Sequence, residues 1–168
     1  MQTLGRRIHQ DTKAYVCGGA TAVLFDFRGS TLDIDLVFKP DSDDVLSEIP
    51  KIKNDLSINV ELASPADFIP VRDDWESRST FIDRFDHLSV YHYDLYAQAL
   101  SKIERAHTQD VKDVKAMVKA GLIERPKLRE YFESVRSRLY RYPSIDPQSF
   151  ARAVEAFIKA PEGETEVK

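Results

Sequence analysis

Asp33 and Asp35 are the residues in this 168-residue chain whose type and spacing most plainly permit chemistry. They stand two apart in Leu32-Asp33-Ile34-Asp35-Leu36-Val37-Phe38, whose apolar pattern predicts a strand over 32–38. Residues i and i+2 of a strand point to one face, so both carboxylates face one way and Ile34 faces the core. Aspartate is unfavourable in strands, and two like charges roughly 7 Å apart along one strand repel. A divalent cation offsets that repulsion. Mg²⁺ (or Mn²⁺) is the natural candidate, because it takes one or two carboxylates together with substrate phosphates. A pair of such ions clamps the attacking and leaving oxygens of a phosphoryl transfer.

Gly18-Gly19 stand shortly before this pair, where an apolar run, Ala14 to Cys17, reads as a short strand that the glycines break. Glycines there let the backbone approach a phosphate, and the following helix offers N–H groups. Thr21 could add a hydroxyl. A plain tight turn is the other reading. A third acid, Glu61, lies in the apolar run Ile58-Asn59-Val60-Glu61-Leu62. It completes a three-carboxylate cluster if that strand lies beside the Asp33 strand, and is otherwise an exposed strand acid.

The elements that must position these groups follow from pattern. Ala20 to Phe27 reads as a short helix, residues 28–31 as a turn, and 42–54 as a helical pattern interrupted by Pro50. Ser57 to Leu62 reads as a third strand. A long irregular stretch, 63–79, contains Trp75; loops of that length are often functional. Thr80–Phe85 and Leu88–Tyr93 read as a hairpin around Asp86-His87. Helices then take over. Asp94 caps one over 95–106, and Thr108 caps another that Gly121 ends near Ala120. Pro126 opens a third to about Tyr140, and Asp146 a fourth to about Ala160. The fold class expected is α+β, a mixed β-sheet head followed by a C-terminal α-helical bundle. Residues 1–93 are expected to form the core and 94–160 the helical region, together one compact unit, and 161–168 a disordered tail.

Composition narrows the class. The chain is 42% hydrophobic and 31% charged, which suits a soluble globular domain. No apolar run approaches the roughly 20 residues of a membrane helix, and Met1 to Lys13 lacks the apolar core of a signal peptide. The single cysteine, Cys17, excludes an internal disulfide. A cytoplasmic protein with no membrane partner is expected. The net charge of -4 excludes polyanion binding by overall charge. The charge is uneven, however: six acids against one lysine from Asp33 to Glu48, and six basic residues against two acids from Arg125 to Tyr142. The latter, interleaved with Tyr131, Tyr140 and Tyr142, suit an RNA surface or an ordinary amphipathic helix.

Gly-Gly, a short helix, Asp-hydrophobic-Asp, then a hydrophobic-acid-hydrophobic strand resembles the polymerase-beta-like nucleotidyltransferase superfamily. More narrowly, CGGATAVLFDFRGSTLDIDLVF resembles the AbiEii/MenT-like minimal nucleotidyltransferases. The run Val60 to Pro70 and the run Leu100 to Arg105, with Asp110 and Asp113 following, also look like that group. The resemblance implies Asp33 and Asp35 as metal ligands, with Glu61 as a third where relatives often carry aspartate. It implies Gly18, Gly19 and Thr21 as the phosphate turn and Lys102 as a nucleotide contact. Lys102 and Arg105 share a helix face and would meet a triphosphate as a point charge and a fork. Asp110 and Asp113 would hold them, or would simply favour the helix dipole. Arg28 and Ser30 would orient the loop or bind phosphate. The implied activity is transfer of a nucleotidyl group from an NTP to a hydroxyl acceptor, with tRNA or another RNA among the acceptors the resemblance implies, in a toxin that pairs with an antitoxin protein or serves phage defence. Two other readings stand beside it: a nucleotide- or RNA-binding module that no longer catalyses, and a transferase whose acceptor is a protein.

Overall fold

The computed structural model describes residues 1–161. The expected disordered tail therefore lies, from residue 162 on, outside the described residues. Its elements run α1 (Gln2–Arg7), β1 (Thr12–Cys17), α2 (Gly18–Leu24), β2 (Asp33–Lys39), α3 (Asp43–Leu56) and β3 (Asn59–Glu61). A 3-10 turn over Pro65–Asp67 follows, then α4 (Trp75–Arg78), β4 (Thr80–Phe85) and β5 (Leu88–His92). The second half holds α5 (Leu95–Arg105), α6 (Thr108–Lys119), α7 (Arg125–Arg136), a 3-10 turn over Leu139–Arg141 and α8 (Pro147–Lys159). The α+β architecture is as expected, with a mixed sheet first and helices after it.

The sheet has the order β3-β2-β1-β5-β4. β1 runs antiparallel to β2 and parallel to β5, β2 parallel to β3, and β4 antiparallel to β5. Each face has its own core. Ile34, Leu36 and Phe38 of β2 pack with Val45, Ile49 and Ile52 of α3 and with Leu4 and Ile8 at α1. The alternate residues, Tyr15 and Cys17 of β1 and Val37 of β2, face a larger core shared with α5 to α8. Strand alternation thus puts Asp33 and Asp35 on the face that the C-terminal helices cover.

Several elements differ from their sequence patterns, each for a physical reason. α1 was not expected; Leu4 and Ile8 lie four apart, one turn of helix and its C-cap, and are both buried. Leu32 stands before β2, 91% exposed. Pro50 does not interrupt α3, which runs through it. Pro50 and Leu46 are both on the exposed side, so water can serve the carbonyl that the missing N–H leaves open. β3 is three residues long instead of six. The stretch 63–79 contains the 3-10 turn and α4. Two caps behave as expected: the Asp94 side chain accepts from Tyr96 N at 3.0 Å and the Asp146 side chain from Ser149 N at 3.0 Å. Thr108 does not cap α6; it is the first residue inside the helix, His107 holds the cap position, and no side chain bonds there.

Candidate active site

The register of three strands assembles the acidic part of the site. β1 sets Cys17 opposite Asp35, and β3 sets Asn59 opposite Asp33 and Glu61 opposite Asp35. Asp33, Asp35, Asn59 and Glu61 therefore occupy one face at the sheet edge. The Asn59 amide donates to an Asp33 carboxylate oxygen and reaches Glu61 Oε1 at 3.4 Å. Burial pushes the Asp35 carboxyl above its usual range, and the nearby Glu61 and Asp33 charges push it the same way against Arg105 and Lys102.

Gly18 shows why this strand end needs glycine. Its φ is +62°, the left-handed region, and a Cβ there would lie 2.1 Å from Asp35 Oδ2. Backbone and carboxylate are in contact because no side chain separates them. Gly19 is tight for another reason: a Cβ would meet Thr31 Oγ1 at 2.3 Å and Arg28 Nη1 at 3.2 Å. The Gly18 N–H does not point free into solvent. It donates to Gln98 Oε1 at 3.0 Å, while Gln98 Nε2 donates to Tyr93 O at 2.8 Å. Buried Gln98 thus ties α5 to the glycine turn and to the end of β5. Thr21 is fully buried and its hydroxyl donates to Val16 O at 3.0 Å. That hydroxyl is used inside the fold, one turn into α2 and away from the cleft.

The cationic part comes from α5 and α6. Lys102 is buried and its Nζ donates to Asp110 Oδ1 at 3.0 Å and Asp113 Oδ2 at 2.7 Å. Arg105 holds Asp110 with two bonds, at 2.8 and 2.9 Å. Arg28 crosses from the loop after α2 to hold both oxygens of Asp113. Three cations against two carboxylates leave the cluster net positive beside the acidic strand edge. Burial pushes Asp110 and Asp113 up, but their hydrogen bonds, from Arg105 and Lys102 to the first and from Arg28 and Lys102 to the second, outweigh it and hold both below the usual carboxylate range. Ser30 is exposed on the same loop and does not line the cleft.

Between the two parts lies a cleft of about 320 Å³ lined by Gly18, Asp35, Glu61, Lys102 and Arg105. Asp33, Gly19 and Arg28 are not among its lining residues: Asp33 lies two residues along β2 from Asp35, Gly19 follows Gly18, and Arg28 is bonded to Asp113. A second hollow of about 340 Å³ follows the edge of β2 beyond β3 and shares Ala63 and Ser64 with the cleft. The cleft, with the carboxylates and cations together, is where the chemistry can occur. Among the described residues no group of three or more His, Cys, Asp or Glu side chains is gathered to hold one ion. Glu61 stands beside the aspartate pair without closing a cage. The pair itself supplies hard oxygen donors, which fit Mg²⁺ when phosphate oxygens and water complete its shell.

A family model described as "Nucleotidyltransferase of unknown function (DUF6036)" matches residues 3–160. The chain belongs to this family. No curated protein and no solved structure matches it. The DUF6036 match runs from α1 through α8, so the sheet and the helices that build the cleft both lie within the family. Membership supports a nucleotidyltransferase as the general kind of enzyme. Among the described residues, no helix is long and apolar enough to cross a membrane.

Several cleft residues of this DUF6036 chain were not among those expected from sequence. Gln98, Ser64, Phe68, Ser101 and Glu104 line it. Gln98, Ser101 and Arg105 follow helical spacing on α5, so extending the Lys102–Arg105 face by one turn would have found two of them. Ser64 and Asp67 form a reciprocal capping box around the 3-10 turn, a pattern legible as Ser-x-x-Asp. The basic residues from Arg125 to Tyr142 mostly have partners nearby, several of them at the surface. Arg129 pairs with Glu155, Arg136 with Glu133 and Arg138 with Asp73, and Arg125 donates to carbonyls at the end of α8.

Proposed function

We propose that this chain is a metal-dependent nucleotidyltransferase that moves a nucleotidyl group from an NTP to a hydroxyl acceptor. One observation carries the reading: Asp35, beside Asp33 on one strand face, lies in direct contact with the side-chain-free backbone of Gly18 at the mouth of a cleft whose opposite wall is cationic. Asp33 and Asp35 would hold Mg²⁺ or Mn²⁺, with Glu61 alongside. When bound, such an ion neutralises phosphate charge and stabilises an in-line displacement at the α-phosphate. Lys102 has three N–H donors and spends two on Asp110 and Asp113, which leaves one for a phosphate oxygen. Arg105, with a side chain 54% exposed, can present its remaining N–H groups to the triphosphate. Asp110 and Asp113 fix both cations and Arg28 in place.

We further propose an AbiEii/MenT-like enzyme, on the strength of the Cys17–Phe38 block, with an RNA hydroxyl such as a tRNA end as acceptor. A toxin held in check by a cognate antitoxin protein is the setting that this resemblance implies. The test is incubation of the chain with each labelled NTP, Mg²⁺, and total RNA or lysate. Label in RNA that disappears with chelator and in Asp33→Asn supports the reading. Label in protein moves the acceptor to a polypeptide. NTP binding without label in any macromolecule replaces the enzyme with a binding module.

A further inference from the structure

The cleft continues past the carboxylates to a wall built differently from the rest. Phe68 lines it and is 54% exposed, an unfavourable position for a large apolar ring. Its backbone is nevertheless firmly held. The Ser64 N–H and hydroxyl both donate to Asp67 Oδ2, at 2.7 and 3.1 Å, closing the turn that precedes it. Phe68 N and Ile69 N both donate to Pro65 O, at 3.1 and 2.9 Å, and Ile69 is fully buried. Tyr142 Oη donates to Ala66 O at 2.9 Å, pinning the same turn from the C-terminal half. A rigid turn that holds an exposed ring at a cleft is preorganised to stack on something planar. Glu104 of α5, half-buried, lines the same cleft, and its carboxylate has no hydrogen-bond or ion-pair partner among the described residues. Arg105, one residue on, pairs instead with Asp110.

We propose that Phe68 and Glu104 form the nucleobase subsite, Phe68 stacking on the base and Glu104 accepting a hydrogen bond from an exocyclic amino group. This rests on the nucleotidyltransferase reading above, because that reading places a triphosphate at Gly18, Asp35 and Lys102. A carboxylate only accepts, so it favours a base with an amino donor and opposes one that presents a carbonyl oxygen at the same place. Cytosine and uracil differ there in just this way, with N4–H₂ against O4. CTP should therefore bind more tightly than UTP.

Binding of unlabelled nucleotides and of inorganic tripolyphosphate, measured calorimetrically with Mg²⁺, separates the claims. Phe68→Ala should weaken every NTP by about 10- to 100-fold, the scale of one lost base stack, and leave tripolyphosphate unchanged. Phe68→Trp should restore NTP binding. Glu104→Gln should narrow or reverse the preference for CTP over UTP, since an amide can donate to O4. If Phe68→Ala binds NTPs like wild type while tripolyphosphate still binds, the stacking wall is wrong and the phosphate site stands. If CTP and UTP bind alike in wild type, or Glu104→Gln leaves their ratio unchanged, the role of Glu104 is wrong. If wild type binds neither NTP nor tripolyphosphate, the underlying reading fails and this one with it.

Discussion

At the scale of single residues, Asp35 concentrates the tension of the site. Its charge is opposed by burial and by two neighbouring carboxylates, and in the protein alone nothing offsets this completely. Asp35→Asn should therefore raise the melting temperature in metal-free buffer, by about 2–4 °C for each kcal/mol of repulsion relieved. The same variant should lower nucleotidyl transfer on the order of 100-fold or more, the scale of losing one charge-stabilising group. Calorimetry and the labelling assay check the two halves; a variant with lower stability and full activity contradicts both. His92 gives a second residue-scale prediction. It is buried on β5 and stacks on Phe25, ring centroids 4.1 Å apart. Its Nδ1 has no hydrogen-bond partner among the described residues, and burial lowers its pKa from 6.5 to about 4. The folded state binds this proton less readily than the unfolded chain. The contribution of His92 is thus complete above pH about 6.5 and is lost as pH falls toward 4, by up to about 3 kcal/mol. Denaturant titrations at pH 7 and pH 5 should show this slope in the wild type and a flatter one in His92→Phe.

At the scale of elements, the junction of β1 and α2 against β2 governs the geometry. A Cβ on Gly18 meets the mobile end of the Asp35 side chain and not backbone. Gly18→Ala should therefore fold, with a strain of about 1–2 kcal/mol from its left-handed φ, while displacing the carboxylate. Activity should fall much more steeply than stability. In an Asp35→Ala background the stability cost of Gly18→Ala should shrink, because the clashing atom is gone; equal costs in both backgrounds would refute a direct contact. Gln98 acts at the same scale, since one amide on α5 joins the ends of β1 and β5 to the turn. α7 pairs Arg129 with Glu155 of α8, while its Arg136 pairs with Glu133 on the same helix.

At the scale of the whole molecule, the Arg28–Asp113–Lys102–Asp110–Arg105 cluster joins the sheet half to the helical half. Arg28 and Asp113 are 85 residues apart in sequence. Lys102→Met would leave two buried carboxylates with fewer partners, at a cost of about 3–5 kcal/mol, the range for breaking a buried ion pair. Both carboxylates titrate below their usual range in the folded protein. Their contribution is complete above the unfolded value near pH ~4 and is lost as pH falls through the lower folded values. Acid unfolding should therefore have two windows, one from His92 between about pH 6.5 and 4 and one below it from the cluster. Denaturation curves from pH 7 to 2 test this: Asp110→Asn should flatten the lower window and leave the upper one in place.

What the sequence determined by itself rests on local period and local chemistry. The alternation around Ile34 put Asp33 and Asp35 on one face because a strand repeats every two residues. Asp94 and Asp146 announced their helices because a cap needs only the next few N–H groups. The mixed sheet followed by helices was legible for the same reason, as was the glycine break after Cys17. Tertiary structure alone decided the rest. The hydroxyl of Thr21 turned inward to Val16 O and the N–H of Gly18 went to a side chain eighty positions away, choices made by packing and by the need to pair buried polar groups. The partnership of Lys102 with Asp110 and Asp113 was open to a local reading, but Arg28 joining them was not. Nor could period alone place Phe68 at the cleft, since its direction is set by a closed 3-10 turn and by Tyr142 far along the chain. Local pattern specifies faces and ends of elements; which faces meet depends on distant side chains that become neighbours only after the chain has folded.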